Sequence, residues 1–183
     1  MIKIGITGSL ASGKTTASKI LSSKRGPLFS ADKAVKELYK NNHFKSFVSR
    51  RFKIKTNNQL KKSLKMLILK NKENIKKLEK IIHPLVRKKM KNFTSQNKNK
   101  KLLFYEIPLL IESKLMKNFH VIVLIKAKKQ LRLRRFQSKS GDKKLFNLLN
   151  NKQINDVKKI KFCNHVVVNE KNLNILKKNL LVI

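Results

Sequence analysis

Apolar residues fall into two kinds of pattern along the chain. Short, nearly continuous runs of β-branched and aliphatic residues occupy positions 2–7, 27–31, 102–107, 120–126 and 165–169. Runs of this kind suit strands covered on both faces. Helical stretches separate them, including 16–24 just after the first run and 33–40 after the second. The alternation predicts βαβ units, a five-stranded parallel sheet and an α/β fold. The interval from about 40 to 100 reads differently. Leu60, Leu64, Leu67, Ile68, Ile75, Leu78 and Ile82 recur every three to four residues with lysines between them, the stripe of an amphipathic helical insertion. Its last helix is expected to end near His83-Pro84, and the polar stretch 92–101 reads as an exposed loop back to the sheet. The expected organisation is therefore a core of residues 1–44 and 101–183, with a helical insertion at 45–100 as the natural place for an acceptor pocket. At 183 residues the chain holds one well-buried α/β domain plus insertions.

The first run leads straight into Gly8-Ser9-Leu10-Ala11-Ser12-Gly13-Lys14-Thr15, a complete G-x-x-x-x-G-K-[ST] phosphate-binding loop. Strand before and helix after are the context that this loop needs, and the helix dipole opening near Thr16 supports a bound anion. Backbone N–H groups of Gly8, Ala11, Ser12, Gly13, Lys14, Thr15 and Thr16 are candidates to wrap the phosphates of a nucleotide triphosphate. Lys14 reaches the β- and γ-phosphates, and the Thr15 hydroxyl is the candidate Mg²⁺ ligand. Three of the five glycines lie within the first thirteen residues.

Charge changes the picture less than its size suggests. The net charge of +37 would ordinarily indicate a nucleic-acid or anionic-membrane partner. Only seven of the 46 cations are arginine, and the lysines are spread along the whole chain. Nineteen asparagines and many isoleucines accompany them. A/T-rich codons specify all three residue types, so base composition is one account of the charge and a functional basic surface is the other. No specific nucleic acid is expected. A lone Cys163 rules out an internal disulfide and suits a reducing compartment. No apolar run is long enough to span a bilayer, and the N-terminus lacks signal-peptide regions. A cytoplasmic protein with no membrane partner, monomeric by default, is the expectation.

Phosphoryl transfer to an alcohol also needs a base beside the acceptor and cations around the transferring group. Asp32 follows the second strand, at the carboxyl edge of the sheet where ligands bind in open α/β folds. It is one of only nine acids, and is a candidate base or simply the N-cap of the helix at 33–40. Glu106 ends the third strand and could hold a Mg²⁺-bound water, while Glu112 lies on the following turn. Arg132, Arg134 and Arg135 concentrate a scarce residue type ahead of the turn at 138–142, as a phosphate-closing lid over about 130–152 or a solvated helix face.

Taken together these segments resemble dephospho-CoA kinase over essentially the whole chain. The loop at 5–15, Ser30-Ala31-Asp32, His83-Pro84-Leu85-Val86, Pro108-Leu109-Leu110-Ile111-Glu112, Gln130, Gln153 and Val167-Val168-Asn169 carry the likeness, in the family's order. Ser30 and Glu106 stand where the family usually has Asp. Cys163-Asn164 replaces its Ala-Asp, and Ser138 with Lys139 stands where an arginine is common. The resemblance implies a P-loop nucleoside-kinase-like fold with a helical acceptor-binding insertion and a helical lid. It implies transfer of the γ-phosphoryl of ATP, with Mg²⁺, to the ribose 3′-hydroxyl of dephospho-CoA. Asp32 would be the base, and Arg132 and Arg134 would join the loop around ATP. His83, Arg87, Leu109, Leu110 and Glu112 would line the acceptor side. Two other readings remain: a different small P-loop kinase for a nucleoside or metabolite, and an ATP-dependent nucleic-acid-binding protein. The second lacks aromatics interleaved on a basic stripe.

Overall fold

Each of the five apolar runs forms a strand in a computed structural model, which describes residues 1–55, 59–71 and 73–183. They are β1 (Ile2–Thr7), β2 (Leu28–Ser30), β3 (Leu102–Glu106), β4 (Val121–Lys126) and β5 (His165–Val168). Every pairing is parallel, in the order β2-β3-β1-β4-β5. Register places Ile6 beside Glu106 and Ser30 beside Glu106, so the carboxyl ends of β1, β2 and β3 finish level.

The chain divides into two compact units, Met1–Ser30 with Thr94–Ile183, and Ala31–Phe93. These boundaries differ from the 44/45 and 100/101 expected from pattern. In the first unit, α1 (Lys14–Ser22) and α9 (Leu173–Leu181) supply Ala17, Leu21, Leu176 and Leu180 to a core with Ile4, Ile6, Phe104, Val123, Ile125 and Val167. Successive strand residues face opposite ways, so Leu103, Tyr105, Ile122 and Leu124 are buried on the other face of the sheet. There the Tyr105 ring packs edge-on against Phe119 at 5.3 Å, and its hydroxyl pairs with Thr94 at 2.8 Å. The remaining helices of this unit are α6 (Lys129–Gln137), α7 (Lys143–Lys152) and α8 (Asp156–Ile160).

The second unit is built from α2 (Ala31–Leu38), α3 (Asn42–Phe52), α4 (Leu60–Lys70) and most of α5 (Glu73–Gln96). Phe44, Val48, Leu60 and Leu64 form its buried centre, with Leu38, Tyr39, Leu78, Ile81 and Ile82 packed around them. Asn41 caps α3 by accepting the Phe44 N–H at 3.0 Å. Positions 56–58 and 72 of the expected insertion lie outside the described residues.

Helix α5 corrects two expectations. It does not end near His83-Pro84, nor is 92–101 all loop, because the helix runs on to Gln96. An internal proline costs about 3 kcal/mol, through one lost backbone hydrogen bond and a ring clash. A 24-residue helix that buries Ile75 and packs the partly buried Leu78, Ile81 and Ile82 against the centre of the unit recovers more than that. The helix at 33–40 likewise begins earlier, at Ala31, which puts Asp32 inside its first turn and not at its N-cap.

Because Ile6 is fully buried between α1 and the neighbouring strands, Ile6→Ala is expected to lower unfolding free energy by about 2–5 kcal/mol. Urea denaturation followed by circular dichroism measures this.

Candidate active site

The loop between β1 and α1 is shaped by backbone conformations that side chains oppose. Gly8 and Gly13 have φ of 152° and 93°, and Ala11 has φ of 60°. A Cβ on Gly8 would strike the Ile125 carbonyl, and one on Gly13 would strike the Asn169 amide. Gly13 is also the N-cap of α1, and no side chain caps this helix. The first N–H groups of α1 have no intrahelical acceptor, so they are offered to a ligand. Lys14 is only 7% exposed, and its ammonium donates to the Ser9 carbonyl at 2.9 Å. The Thr15 hydroxyl donates to Glu106 Oε1 at 2.5 Å. Glu106 is 1% exposed, and its other carboxylate oxygen is buried with no hydrogen-bond partner among the described residues. Buried polar atoms are ordinarily paired, so this oxygen and the Thr15 hydroxyl form an oxygen donor set suited to a hard divalent cation. No cluster of three His, Cys, Asp or Glu side chains capable of holding a metal occurs among the described residues.

The outer turn of the loop is gripped from behind. Asp156 Oδ1 accepts from the Ser9 hydroxyl at 2.5 Å, and Gln153 Oε1 accepts the Leu10 N–H at 2.7 Å. Arg132 donates to the Leu10 carbonyl at 3.2 Å, to Asn150 Oδ1 at 2.8 Å and to the Ala127 carbonyl at 3.1 Å. Its guanidinium also lies 5.8 Å from the Phe146 ring centroid. Burial lowers its pKa from the ordinary arginine value, and the charge of Asp156 opposes that shift. Arg132 is thus a buried brace on the loop. Arg134, the other lid arginine singled out from sequence, is exposed.

Arg135 points to the loop instead. Its Nη1 donates to the Asn169 carbonyl at 3.1 Å, and Asn169 Nδ2 donates to the Ser12 carbonyl at 2.9 Å. The same guanidinium nitrogen lies 3.9 Å from where a Cβ of Gly13 would stand. From sequence, Arg135 is named only as one of the three clustered arginines, and Asp156 is not named at all. The arginine cluster carried the signal for Arg135, but its helical phase did not.

The remaining expected residues divide between the two units. Leu110 is fully buried, with its Cδ1 in the space beside Gly5. Glu112 pairs at 2.8 Å with the fully buried Lys159 and accepts the Ile154 N–H at 3.1 Å. Both are interior supports of the turn after β3, on which Leu109 is half-buried. Cys163 donates its thiol to the Lys159 carbonyl, and burial pushes that thiol up to about 11. Asp32, His83 and Arg87 belong to the second unit. Asp32 and Arg87 are exposed and His83 is half-buried, with His83 and Arg87 one turn apart on α5.

A parallel five-stranded sheet, a glycine-shaped loop opening onto an uncapped helix, and a buried carboxylate beside the loop threonine define a P-loop kinase fold. The profile of the family described as dephospho-CoA kinase matches residues 2–174. The dephospho-CoA kinase of Bartonella quintana is 33% identical over 175 residues, covering 93% of this chain and 90% of that protein. That of Rickettsia bellii is 35% identical over 162 residues, covering 87% and 84%. A crystal structure of a Thermus thermophilus protein superposes with a TM-score of 0.79 at 29% identity, covering 99% of this chain and 95% of that one. The chain belongs to the dephospho-CoA kinase family.

Removing one partner of a buried ion pair leaves an uncompensated charge and costs about 3–5 kcal/mol. Lys159→Met is therefore expected to destabilise the protein by that amount, and Lys159→Met/Glu112→Leu by less. Paired urea melts of the single and double variants check the difference.

Proposed function

We propose that the chain phosphorylates the ribose 3′-hydroxyl of dephospho-CoA with ATP, yielding CoA and ADP, the last step of coenzyme A synthesis. What carries this reading is the family match over residues 2–174 on a chain whose loop, Lys14 and Thr15–Glu106 pair are all intact. The N–H groups from Gly13 to Thr16, with those of Gly8, Ala11 and Ser12 behind them, hold the triphosphate. Lys14 exchanges the Ser9 carbonyl for phosphate oxygens. Mg²⁺ would be held by the Thr15 hydroxyl and Glu106, directly or through water, and supplies charge neutralisation on the phosphates.

Asp32 accepts the proton of the 3′-hydroxyl as its oxygen bonds to the γ-phosphorus, and the bond to the β,γ-bridging oxygen breaks with ADP as leaving group. Its place two residues beyond β2, whose last residue pairs with Glu106, supports that role. Arg132 acts by holding Leu10, and Arg135 supplies a phosphate-neutralising cation on the nucleotide side. His83, Arg87 and Leu109 contact the acceptor, while Leu110 and Glu112 hold the turn that carries Leu109. No helix among the described residues is long and apolar enough to cross a membrane. With the single cysteine, this supports a cytoplasmic enzyme, which we take as monomeric and without a specific nucleic-acid partner.

A coupled ADP-release assay with ATP–Mg²⁺ tests the reaction against dephospho-CoA, adenosine, AMP and DNA. Turnover with another acceptor and none with dephospho-CoA overturns the assignment. Lys14→Ala is expected to abolish turnover, and Asp32→Asn to lower kcat by roughly 10²–10⁴. Normal kcat in Asp32→Asn removes it as base.

The two neighbouring arginines separate in the same assay. Arg135→Ala is expected to raise KM for ATP about tenfold, in keeping with one lost charge-assisted contact, whereas Arg134→Ala leaves it within about twofold.

A further inference from the structure

Helix α8 is five residues long, yet it carries two buried charges. Asp156 and Lys159 are 9% and 0% exposed, while Val157, Lys158 and Ile160 face solvent. Three residues apart, the two charges share one face of the helix. Their partners lie on different segments. The Asp156 carboxylate accepts from the Ser9 hydroxyl of the phosphate loop, and the Lys159 ammonium pairs with Glu112 on the turn after β3.

The residues just before α8 repeat this division. Gln153 accepts the Leu10 N–H of the loop at 2.7 Å, and the Ile154 N–H donates to Glu112 Oε1 at 3.1 Å. That same oxygen stands 2.8 Å from Lys159 Nζ. Residues 153–159 are thus stitched alternately to the phosphate loop and to the turn. The turn is also tied at its start, where the hydroxyl of the fully buried Thr7 donates to the Pro108 carbonyl at 3.2 Å. Between these two ties Leu110 and Ile111 are buried and Leu109 is half-buried.

A buried ion pair is a costly way to fill an interior, since apolar side chains of similar volume do so without desolvating two charges. What the pair adds is direction, because it holds one carboxylate oxygen at one point. We propose that residues 153–159 are a strap that sets the turn carrying Leu109 against the phosphate loop, with Lys159 as a positioning residue. Lys159 acts through Glu112 on where the acceptor stands relative to the γ-phosphate. The proposal rests on the acceptor assigned above and deepens it, giving the alignment of the two substrates to a segment outside both the loop and the turn.

The test uses Lys159→Met/Glu112→Leu in the full chain, which removes both charges and keeps apolar volume in their place. Kinetics are compared at a temperature where circular dichroism shows both proteins folded. A role in folding alone leaves them unchanged there. Positioning lowers kcat with dephospho-CoA by roughly 10²-fold, the effect of a small misplacement of reacting groups, while Kd for ATP, measured by calorimetry without acceptor, stays within about twofold. An undiminished kcat overturns the proposal. Weakening of ATP binding in step with kcat does so too, because the ion pair would then act through the phosphate loop alone. Should that variant fold poorly, Lys159→Met/Glu112→Gln keeps an acceptor for the Ile154 N–H, and the same two results decide. Absence of dephospho-CoA turnover in the unsubstituted protein instead overturns the functional assignment, so the two failures are distinct.

Discussion

The site depends on a stretch of main chain held open where nothing caps it. Helix α1 begins at a glycine in the left-handed region, and no side chain takes up its leading N–H groups. An uncapped start forgoes about 1 kcal/mol of helix stability, so neighbouring structure must keep it in place. It is kept by burial of Ala17 and Leu21 against the sheet, and by backbone and side-chain contacts at every turn of the loop: Ile125 and Asn169 against its glycines, Asp156 and Gln153 on Ser9 and Leu10. Preorganised donors aimed at an anion need no reorganisation when charge arrives.

Scarcity of acids gives each carboxylate unusual weight. Nine acids face 46 cations, so the summed field of the protein favours ionised carboxylates and anionic ligands alike. Three of the nine, Glu106, Glu112 and Asp156, are withdrawn into the first unit, each on a specific partner: the loop threonine, a buried lysine and the loop serine. None of these contacts is a surface pair of the kind that contributes little. A third of the acids are thus withdrawn onto fixed partners, two of them on residues of the phosphate loop and one on a buried lysine.

Much of the core was legible because continuous β-branched runs flanked by glycine and helix have few alternatives, and the loop motif fixes which strand comes first. Helix α5 was misjudged because proline was read as a stop, when the packing of Ile75, Leu78, Ile81 and Ile82 outweighs one missing bond. Three arginines within four residues were visible, but which of them turns inward depends on the phase of α6 against β5, and no local pattern fixes that. Lys159 illustrates a deeper limit. As one of 39 lysines it is indistinguishable in sequence from its solvated neighbours, although it is fully buried and holds Glu112.

Leu10 carries a consequence of its own. Gln153 takes its N–H and Arg132 its carbonyl, and Arg132 also ties to Asn150. Both roots of the α6–α7 hairpin are thereby stapled to a single residue of the phosphate loop. The ties therefore lie at the base of the hairpin, away from the 138–142 turn at its tip. The loop is thus both a phosphate-binding motif and the anchor to which this hairpin is moored.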